Sequence, residues 1–217
     1  NIESRLICFG IQPTSPEIKY GYILKKKTIN NDLLIQKINK FEEKPSYIKA
    51  KNLIKRGALW NSGMFLFSAN SIINEVKLHY PLIYNNVALS LKNAKPDMGF
   101  IRLDTKSFKK ITSISIDHAI FEKTNNSFVV PANLNWNDLG TYNSLWDIGK
   151  KDKNNNVING DVIIDNVKNS YIYSDKNLLT VSNIEDVSVV ATQNAILVTS
   201  VKKSNEIKSL INILEKN

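Results

Sequence analysis

The sequence is poor in cysteine and in long apolar runs, and both shortages exclude classes of protein. Its one cysteine, Cys8, lies in an apolar run and has no partner for an internal disulfide, which indicates a small buried hydrophobic residue in a reducing compartment. No segment approaches the ~18 apolar residues that a membrane-spanning helix needs. Residues 1–5 lack the basic-then-apolar order of a secretory signal. We therefore expect a cytoplasmic protein with no membrane partner.

Signals for several kinds of chemistry are missing as well. The sequence has no zinc-ligand spacing, no Ser-His-Asp or Cys-His arrangement, and no basic recognition helix. Its net charge of +9 is concentrated near the start, because residues 1–56 carry twelve Lys and Arg against five Asp and Glu. Such a segment could attract phosphates, nucleic acid or an acidic partner, or could be a lysine-rich solvated surface, as we expect for Lys25–Lys27. No nucleic-acid partner is predicted.

Up to about residue 150, strand-like and helix-like segments alternate, which predicts an α/β layer architecture. The predicted strands are apolar or alternate in polarity: Arg5–Ile11, Tyr20–Lys26, Leu33–Phe41, Met64–Phe67 and Phe128–Val130. The predicted helices have a capping residue or a stop residue: from Ser46 to Gly57, from Asn70 or Ser71 to before Pro81, and Ile116–Lys123.

After a polar boundary at Lys150–Asn156 the pattern changes. Short β-rich runs follow one another about ten residues apart, which predicts a small all-β unit or a coil of strands. The runs are Val162–Ile164, Tyr171–Tyr173, Leu178–Val181, Val187–Val190 and Ala195–Val198. A final helix is predicted from the apolar face that Ile207, Leu210, Ile211 and Leu214 form.

Three clusters of polar residues follow or adjoin predicted strands. In Phe41–Pro45 the proline ends the strand, so that Glu43 and Lys44 emerge at a corner where they could meet a sugar hydroxyl and a phosphate, or simply water. Trp60–Phe65 could present an amide and backbone to a ligand, or be a buried tryptophan with a glycine bulge. Asp138, in Trp136–Thr141, suits either a helix cap or a Mg²⁺ ligand.

Taken in order, these motifs resemble those of the mannose-1-phosphate guanylyltransferases, including the guanylyltransferase portion of bifunctional bacterial enzymes that also isomerise mannose 6-phosphate. The resemblance runs through nearly the whole chain and rests on these segments: Pro13–Glu17, Tyr20–Ile23, Glu43–Pro45, Trp60–Phe65, Ser115–Asp117, Trp136–Gly140, Gly160–Val162 and Glu185–Val190. It implies the C-terminal, sugar-binding portion of a Rossmann-like (GT-A-like) nucleotide-sugar transferase domain in residues 1–150. A short left-handed β-helix with a terminal helix would occupy residues 151–217.

The resemblance also implies a reaction and a set of site residues. Mannose 1-phosphate would attack the α-phosphorus of GTP, giving GDP-mannose and pyrophosphate for polysaccharide biosynthesis. Glu43 would hold sugar hydroxyls, Lys44 would neutralise the sugar phosphate, and Asp138 would be one of two carboxylates that hold Mg²⁺. The implied catalytic residues are thus Lys44 and Asp138. The remaining implied substrate-binding residues are Tyr20, Gly21, Asn61, Ser62, Gly63 and Asp117.

Several departures from the family pattern carry their own expectations. The Gly-rich triphosphate loop and the other metal-binding Asp are missing, and the eight glycines are not clustered. A fragment or split protein is therefore expected, inactive by itself. Ile18-Lys19 replace Thr-Gly at the pocket entrance. His118 replaces a tyrosine, and we expect it to be a packed or capping residue. No isomerase domain follows, so no isomerase activity is expected.

Two alternatives to this function stay open. The chain could be a non-catalytic remnant that binds sugar phosphate or a partner, or a related nucleotidylyltransferase for another sugar or base, such as glucose 1-phosphate with dTTP. Because the sheet's first strands are missing, we also expect unpaired sheet edges covered by a neighbouring copy. A homo-oligomer is the resulting prediction.

Overall fold

The computed structural model describes residues 4–26 and 34–214. The chain forms two compact units that divide between Trp136 and Asn137, before the polar boundary that the sequence indicated. The predicted start of one strand, Leu33, lies outside the described residues. The assignment of residues 1–150 and 151–217 to two functional domains stays a prediction.

The first unit contains seven strands and four α-helices within its described residues, with one π-helical turn at Asp117–Phe121. In chain order they are β1 (Leu6–Ile11), β2 (Tyr22–Lys25), β3 (Gln36–Glu42), α1 (Tyr47–Lys55), β4 (Leu59–Leu66), α2 (Ala69–His79), α3 (Pro81–Lys92), β5 (Lys95–Asp97), β6 (Phe100–Arg102), α4 (Thr105–Phe108) and β7 (Ser127–Ala132).

Five of these strands close on themselves in the order β1-β4-β2-β3-β7, while β5 and β6 form a separate hairpin. β1 and β7 are parallel, and the other pairs in the closed sheet are antiparallel. The expectation of unpaired edges is therefore wrong for these five strands, because β7 bonds to both β1 and β3. The argument for an oligomer fails with it, although the oligomeric state itself stays a prediction.

Alternation along the strands builds two cores, one on each face of the sheet. In β2, Ile23 belongs to a core with Phe121, whereas Tyr22 and Leu24 belong to a second core. Helix α1 covers that second core with Ala50 and Leu53. This layering confirms the α/β architecture.

The predicted ends of helices and strands agree with the observed ends for α1 and differ from them for α2 and β4. Helix α1 follows Ser46 and ends before Gly57, as predicted. Helix α2 begins at Ala69, earlier than predicted, because the Ser68 side chain caps it by accepting from the Ser71 N–H. Strand β4 was predicted too short, since polar Asn61 and Ser62 interrupt its apolar pattern although both are buried.

The second unit begins with α5 (Tyr142–Ile148) and continues as a run of short strands. These are β8 (Val157–Asn159), β9 (Val162–Lys168), β10 (Tyr171–Ser174), β11 (Leu179–Glu185), β12 (Val187–Ala191) and β13 (Ile196–Ser200). A 3₁₀ turn at Val201–Glu206 leads into α6 (Ile207–Leu214). All five predicted β runs and the final helix are confirmed.

Parallel pairing organises most of this unit. Strand β10 lies between β8 and β12, parallel to both, and β9 pairs in parallel with β11. Asparagines in the left-handed region mark the bends, and they stack in pairs: Asn155 donates to Asn169 at 3.0 Å, and Asn166 to Asn183 at 2.9 Å. This parallel pairing is typical of a coil of strands. The left-handed sense of the coil stays a prediction.

No helix in the described part of the chain is both long and apolar enough to cross a membrane.

Candidate functional site

The end of β3 places two charged side chains at one corner of the closed sheet. Glu43 follows the strand, and its side chain is only 11% exposed, whereas the Lys44 side chain is 65% exposed. The Lys44 ammonium lies 3.7 Å from Glu43 Oε1. The Lys44 backbone has φ of 48°, a left-handed conformation that costs a non-glycine residue free energy and persists only where its surroundings enforce it.

Gly21 lies against this carboxylate and leaves no room for a side chain. A Cβ at Gly21 would stand 2.5 Å from Glu43 Oε2 and 3.1 Å from Asn61 Cβ. The Gly21 carbonyl accepts the backbone N–H of Asn61 at 2.8 Å. The glycine is thus required by close packing between the ends of β2 and β3 and the middle of β4.

Asn61 links this corner to the π-helical turn. Its side-chain Nδ2 donates to Asp117 Oδ1 at 2.9 Å, and its Oδ1 accepts the Gly63 N–H at 3.2 Å. Gly63 itself has φ of 73° and open space around its α-carbon. The structure thus brings together Gly21, Glu43, Lys44, Asn61 and Asp117, all of which the sequence put forward as site residues.

Two other predicted site residues have defined local contacts. The Ser62 hydroxyl donates to the Phe9 carbonyl at 2.8 Å and accepts the Met64 N–H at 3.3 Å. The first bond holds β4 to β1, and the second lies within β4. Tyr20 packs edge-on against two tryptophans, with ring centroids 5.0 Å from Trp60 and 5.2 Å from Trp136.

Two further residues complete the corner, and the sequence did not single them out for it. Glu122 accepts the backbone N–H of Glu43 through Oε1 at 3.0 Å, and its Oε2 lies 2.9 Å from His118 Nδ1. His118 is therefore neither packed nor capping, because its side chain is 48% exposed and paired with Glu122. The four-residue spacing, which places two side chains on the same face of a helix, was the sequence signal that could have revealed this pair.

The electrostatics of the corner follow from three carboxylates near the Lys44 ammonium and the His118 imidazole. Burial raises the pKa of Glu43, and repulsion from Asp117 adds to it, while Lys44 and His118 act in the other direction. The hydrogen bond to Glu122 raises the pKa of His118. Burial acts to raise the pKa of Glu122, but hydrogen bonds from His118 and from the Glu43 N–H outweigh it and hold that pKa below its ordinary value.

Asp138 belongs to the second unit and is exposed. Its backbone carbonyl accepts the Gly140 N–H. Asp138 is not the cap of α5: the Thr141 side chain caps that helix by accepting the Ser144 N–H at 3.1 Å. The cap alternative raised by the sequence is therefore wrong. Across residues 4–26 and 34–214, no group of three or more His, Cys, Asp or Glu side chains could hold a metal ion.

The first unit is a mixed α/β fold that places acidic, amide and cationic side chains at one corner of its closed sheet. Residues 2–155 match the family described as nucleotidyl transferase. The chain belongs to the nucleotidyl transferase family.

Curated relatives agree with this family. The chain is 38% identical over 213 residues to a mannose-1-phosphate guanylyltransferase of Escherichia coli, covering 97% of this chain and 46% of that protein. It is 40% identical over 212 residues to one of Salmonella montevideo, covering 95% and 45%. It is 33% identical over 214 residues to the alginate biosynthesis protein AlgA of Pseudomonas aeruginosa, covering 98% and 44%. The resemblance seen in the motifs is confirmed, and the chain spans slightly less than half the length of these relatives.

Solved structures show the same fold. A structure titled mannose-1-phosphate geranyltransferase, from Thermus thermophilus, superposes with a TM-score of 0.81 at 24% identity, covering 98% of this chain and 61% of that one. One titled mannose-6-phosphate isomerase, from Helicobacter pylori, has a TM-score of 0.54 at 28% identity, covering 62% and 52%. The predicted nucleotidyltransferase fold of mixed α/β structure is confirmed, and the left-handed β-helix stays a prediction.

Proposed function

We propose that this chain is the sugar-phosphate-binding portion of a mannose-1-phosphate guanylyltransferase, which forms GDP-mannose and pyrophosphate from mannose 1-phosphate and GTP. The observation that carries the proposal is the cluster of Gly21, Glu43, Asn61 and Asp117 beside Lys44. It occurs in a chain 38% identical to an enzyme named for that activity.

The cluster has the donors and acceptors that a sugar requires. Glu43 Oε2 lies against Gly21, and an ionised carboxylate accepts hydrogen bonds from sugar hydroxyls. The Asp117 and Asn61 side chains fix each other by their hydrogen bond. Their remaining donors and acceptors therefore have a defined direction, which favours one pattern of hydroxyl groups over another.

The phosphate would be held by Lys44. Its side chain is largely exposed next to the partly buried Glu43, so an ammonium and a carboxylate stand side by side for a phosphate and a sugar ring. An ammonium neutralises phosphate charge by charge-assisted hydrogen bonds. In-line attack of the sugar phosphate on a nucleoside triphosphate depends on such positioning and charge neutralisation, with no protein nucleophile.

One property of the Asp138 carboxylate favours a role as a Mg²⁺ ligand. Its carboxylate has no hydrogen bond or salt bridge within the described residues, and the cap of α5 is made by Thr141 instead. Mg²⁺ is commonly bound by one or two carboxylates with substrate phosphates completing the shell. Bound there, the ion would neutralise charge on the reacting phosphates. We further propose that the chain alone does not turn over, since its eight glycines form no clustered phosphate loop.

Binding to the 217-residue chain tests the proposal directly. In ¹⁵N-labelled protein, mannose 1-phosphate should shift the amide signals of Gly21, Glu43, Lys44 and Asn61, and Glu43→Gln should weaken binding about tenfold or more. Inorganic phosphate should perturb Lys44 without Gly21, and glucose 1-phosphate should bind more weakly. Stronger binding of glucose 1-phosphate would assign another sugar, and no shift with any sugar phosphate at millimolar concentration would contradict the function.

A further inference from the structure

The Glu43–Lys44 turn has an unusual backbone and a specific anchor outside its own strand. Lys44 has φ of 48°, and such a conformation persists only where neighbouring contacts enforce it. The backbone N–H of Glu43 donates to Glu122 Oε1 at 3.0 Å, across 79 residues of sequence. That bond ties the turn to the π-helical segment of Asp117–Phe121, which ends just before Glu122.

The second oxygen of the same carboxylate holds His118. Glu122 Oε2 lies 2.9 Å from His118 Nδ1, at the helical spacing of four residues. With both oxygens engaged, the carboxylate is fixed in rotation as well as in position. The charge that His118 gains on protonation lies beside Glu122, and Glu43 and Asp117 also act on it.

The charged groups that act on His118 in the described chain are Glu122, Glu43 and Asp117. On its own segment, Ser115 Oγ accepts the His118 backbone N–H at 3.4 Å. Helix α2 and its C-cap residue pack Ile72, Val76 and Tyr80 against the core that holds Ala119 and Phe121. The ion pair on α2 joins His79 Nε2 and Glu75 Oε2 within that helix, 3.2 Å apart.

We infer that Glu122 and His118 are positioning residues for the Glu43–Lys44 turn, and that the turn holds a sugar phosphate more tightly when His118 is protonated. The inference rests on the proposed function, because it assigns the turn to sugar-phosphate binding. Neither residue needs to touch the substrate: the Glu122 carboxylate orients the Glu43 backbone, and His118 orients the carboxylate.

The test compares variants of this pair with a matched pair on α2. Glu122→Ala removes both hydrogen bonds and should weaken mannose 1-phosphate binding about tenfold. Glu122→Gln keeps an acceptor for the Glu43 N–H, so it should restore most of the affinity. It should also reduce the difference in affinity between about pH 6 and about pH 8 to the part caused by the ligand's own phosphate, which titrates at about pH 6. His118→Gln should reduce that pH difference in the same way.

The control is Glu75→Ala, which breaks a histidine–glutamate pair at the same helical spacing. Glu75→Ala should leave the affinity for mannose 1-phosphate and its pH dependence unchanged, even if Glu75→Ala and Glu122→Ala lower the melting temperature equally. Equal loss of affinity in Glu75→Ala and Glu122→Ala would show a general stability effect and overturn the inference. An unchanged pH profile in His118→Gln would overturn it as well.

A second readout separates this inference from the proposed function. Glu122→Ala should speed hydrogen exchange of the Glu43 amide about tenfold or more in the absence of ligand, because its acceptor is gone. If the wild-type chain bound no sugar phosphate, the proposed function would fail and exchange would still report on the anchor. Unchanged exchange at Glu43 would overturn the positioning role irrespective of binding.

Discussion

The side-chain amide of Asn61 donates a 2.9 Å hydrogen bond to the Asp117 carboxylate, across 56 residues of sequence. This bond joins the middle of β4 to the π-helical turn and fixes Asp117 close enough to Glu43 to affect its titration. Burial raises the pKa of Glu43 and Asp117 repels its ionised form.

Asp117→Asn should therefore lower the pKa of Glu43 toward its ordinary value of 4.5. Asparagine keeps an oxygen that can accept from Asn61 but removes the negative charge. Carboxyl ¹³C chemical shifts followed through an acid titration measure the change. Asp97→Asn, on the separate β5–β6 hairpin, provides the control and should leave the Glu43 titration unaltered. A Glu43 pKa that stayed fixed or rose in Asp117→Asn would contradict this account.

Gly21→Ala should destabilise the fold by about 1–3 kcal/mol, the usual cost of overpacking a close contact. The added methyl group would overlap Glu43 Oε2, which lies 2.5 Å from that position. Sugar-phosphate binding should be lost as the carboxylate is displaced. Urea denaturation gives the stability change, and the same substitution in a Glu43→Ala background should cost less. An equal loss of stability in the wild-type and Glu43→Ala backgrounds would mean that the added methyl group and the Glu43 side chain do not overlap.

Thr141→Ala should reduce stability by about 1 kcal/mol, since a helix cap is lost, whereas Asp138→Asn should change it by less than about 0.5 kcal/mol. The Thr141 hydroxyl is the group that accepts the Ser144 N–H at 3.1 Å. Mn²⁺, which shares the oxygen preference of Mg²⁺, should broaden amide signals near Asp138 in the wild type and much less in Asp138→Asn. Undiminished broadening in the variant would reject Asp138 as a metal ligand.

The His118–Glu122 pair should contribute stability in a limited range of pH. The pKa of His118 is raised from 6.5, so its contribution is complete below that value and is lost as pH rises through the folded-state pKa. The pKa of Glu122 is lowered from 4.5, so its contribution is present above that value and is lost as pH falls through the folded-state pKa. The pair is therefore strongest from about pH 4.5 to about pH 6.5.

His118→Gln should accordingly be less stable than the wild type at about pH 6 and nearly equal to it at about pH 9. Urea denaturation at both pH values measures the difference. In a Glu122→Gln background the substitution should lose this pH dependence. A deficit in His118→Gln that grew with rising pH would have the wrong sign and would exclude the pair as its source.

The local elements and most residues of the candidate site were recognisable in the sequence. An apolar run predicted β1 and alternation of apolar and polar residues predicted β3, each to within a few positions, and the stop residue Gly57 predicted the end of α1. The motifs around Glu43, Asn61 and Asp117 were recognisable because each is a short contiguous segment. Helix and strand preferences and short motifs depend on residues that are close in sequence, so a single sequence reveals them.

The meeting of distant segments could not be read from the sequence. The parallel pairing of Leu6 with Ser127 closes the sheet, and no periodicity within β1 or β7 specifies that partner. The anchor from Glu122 to the Glu43 N–H is also long-range. His118 was misassigned because its role depends on a long-range contact. Its local partner Glu122 accepts the backbone N–H of Glu43, just after the end of β3. Contacts between distant segments are chosen by burial and hydrogen bonding of the whole chain, which a pattern within one segment does not contain.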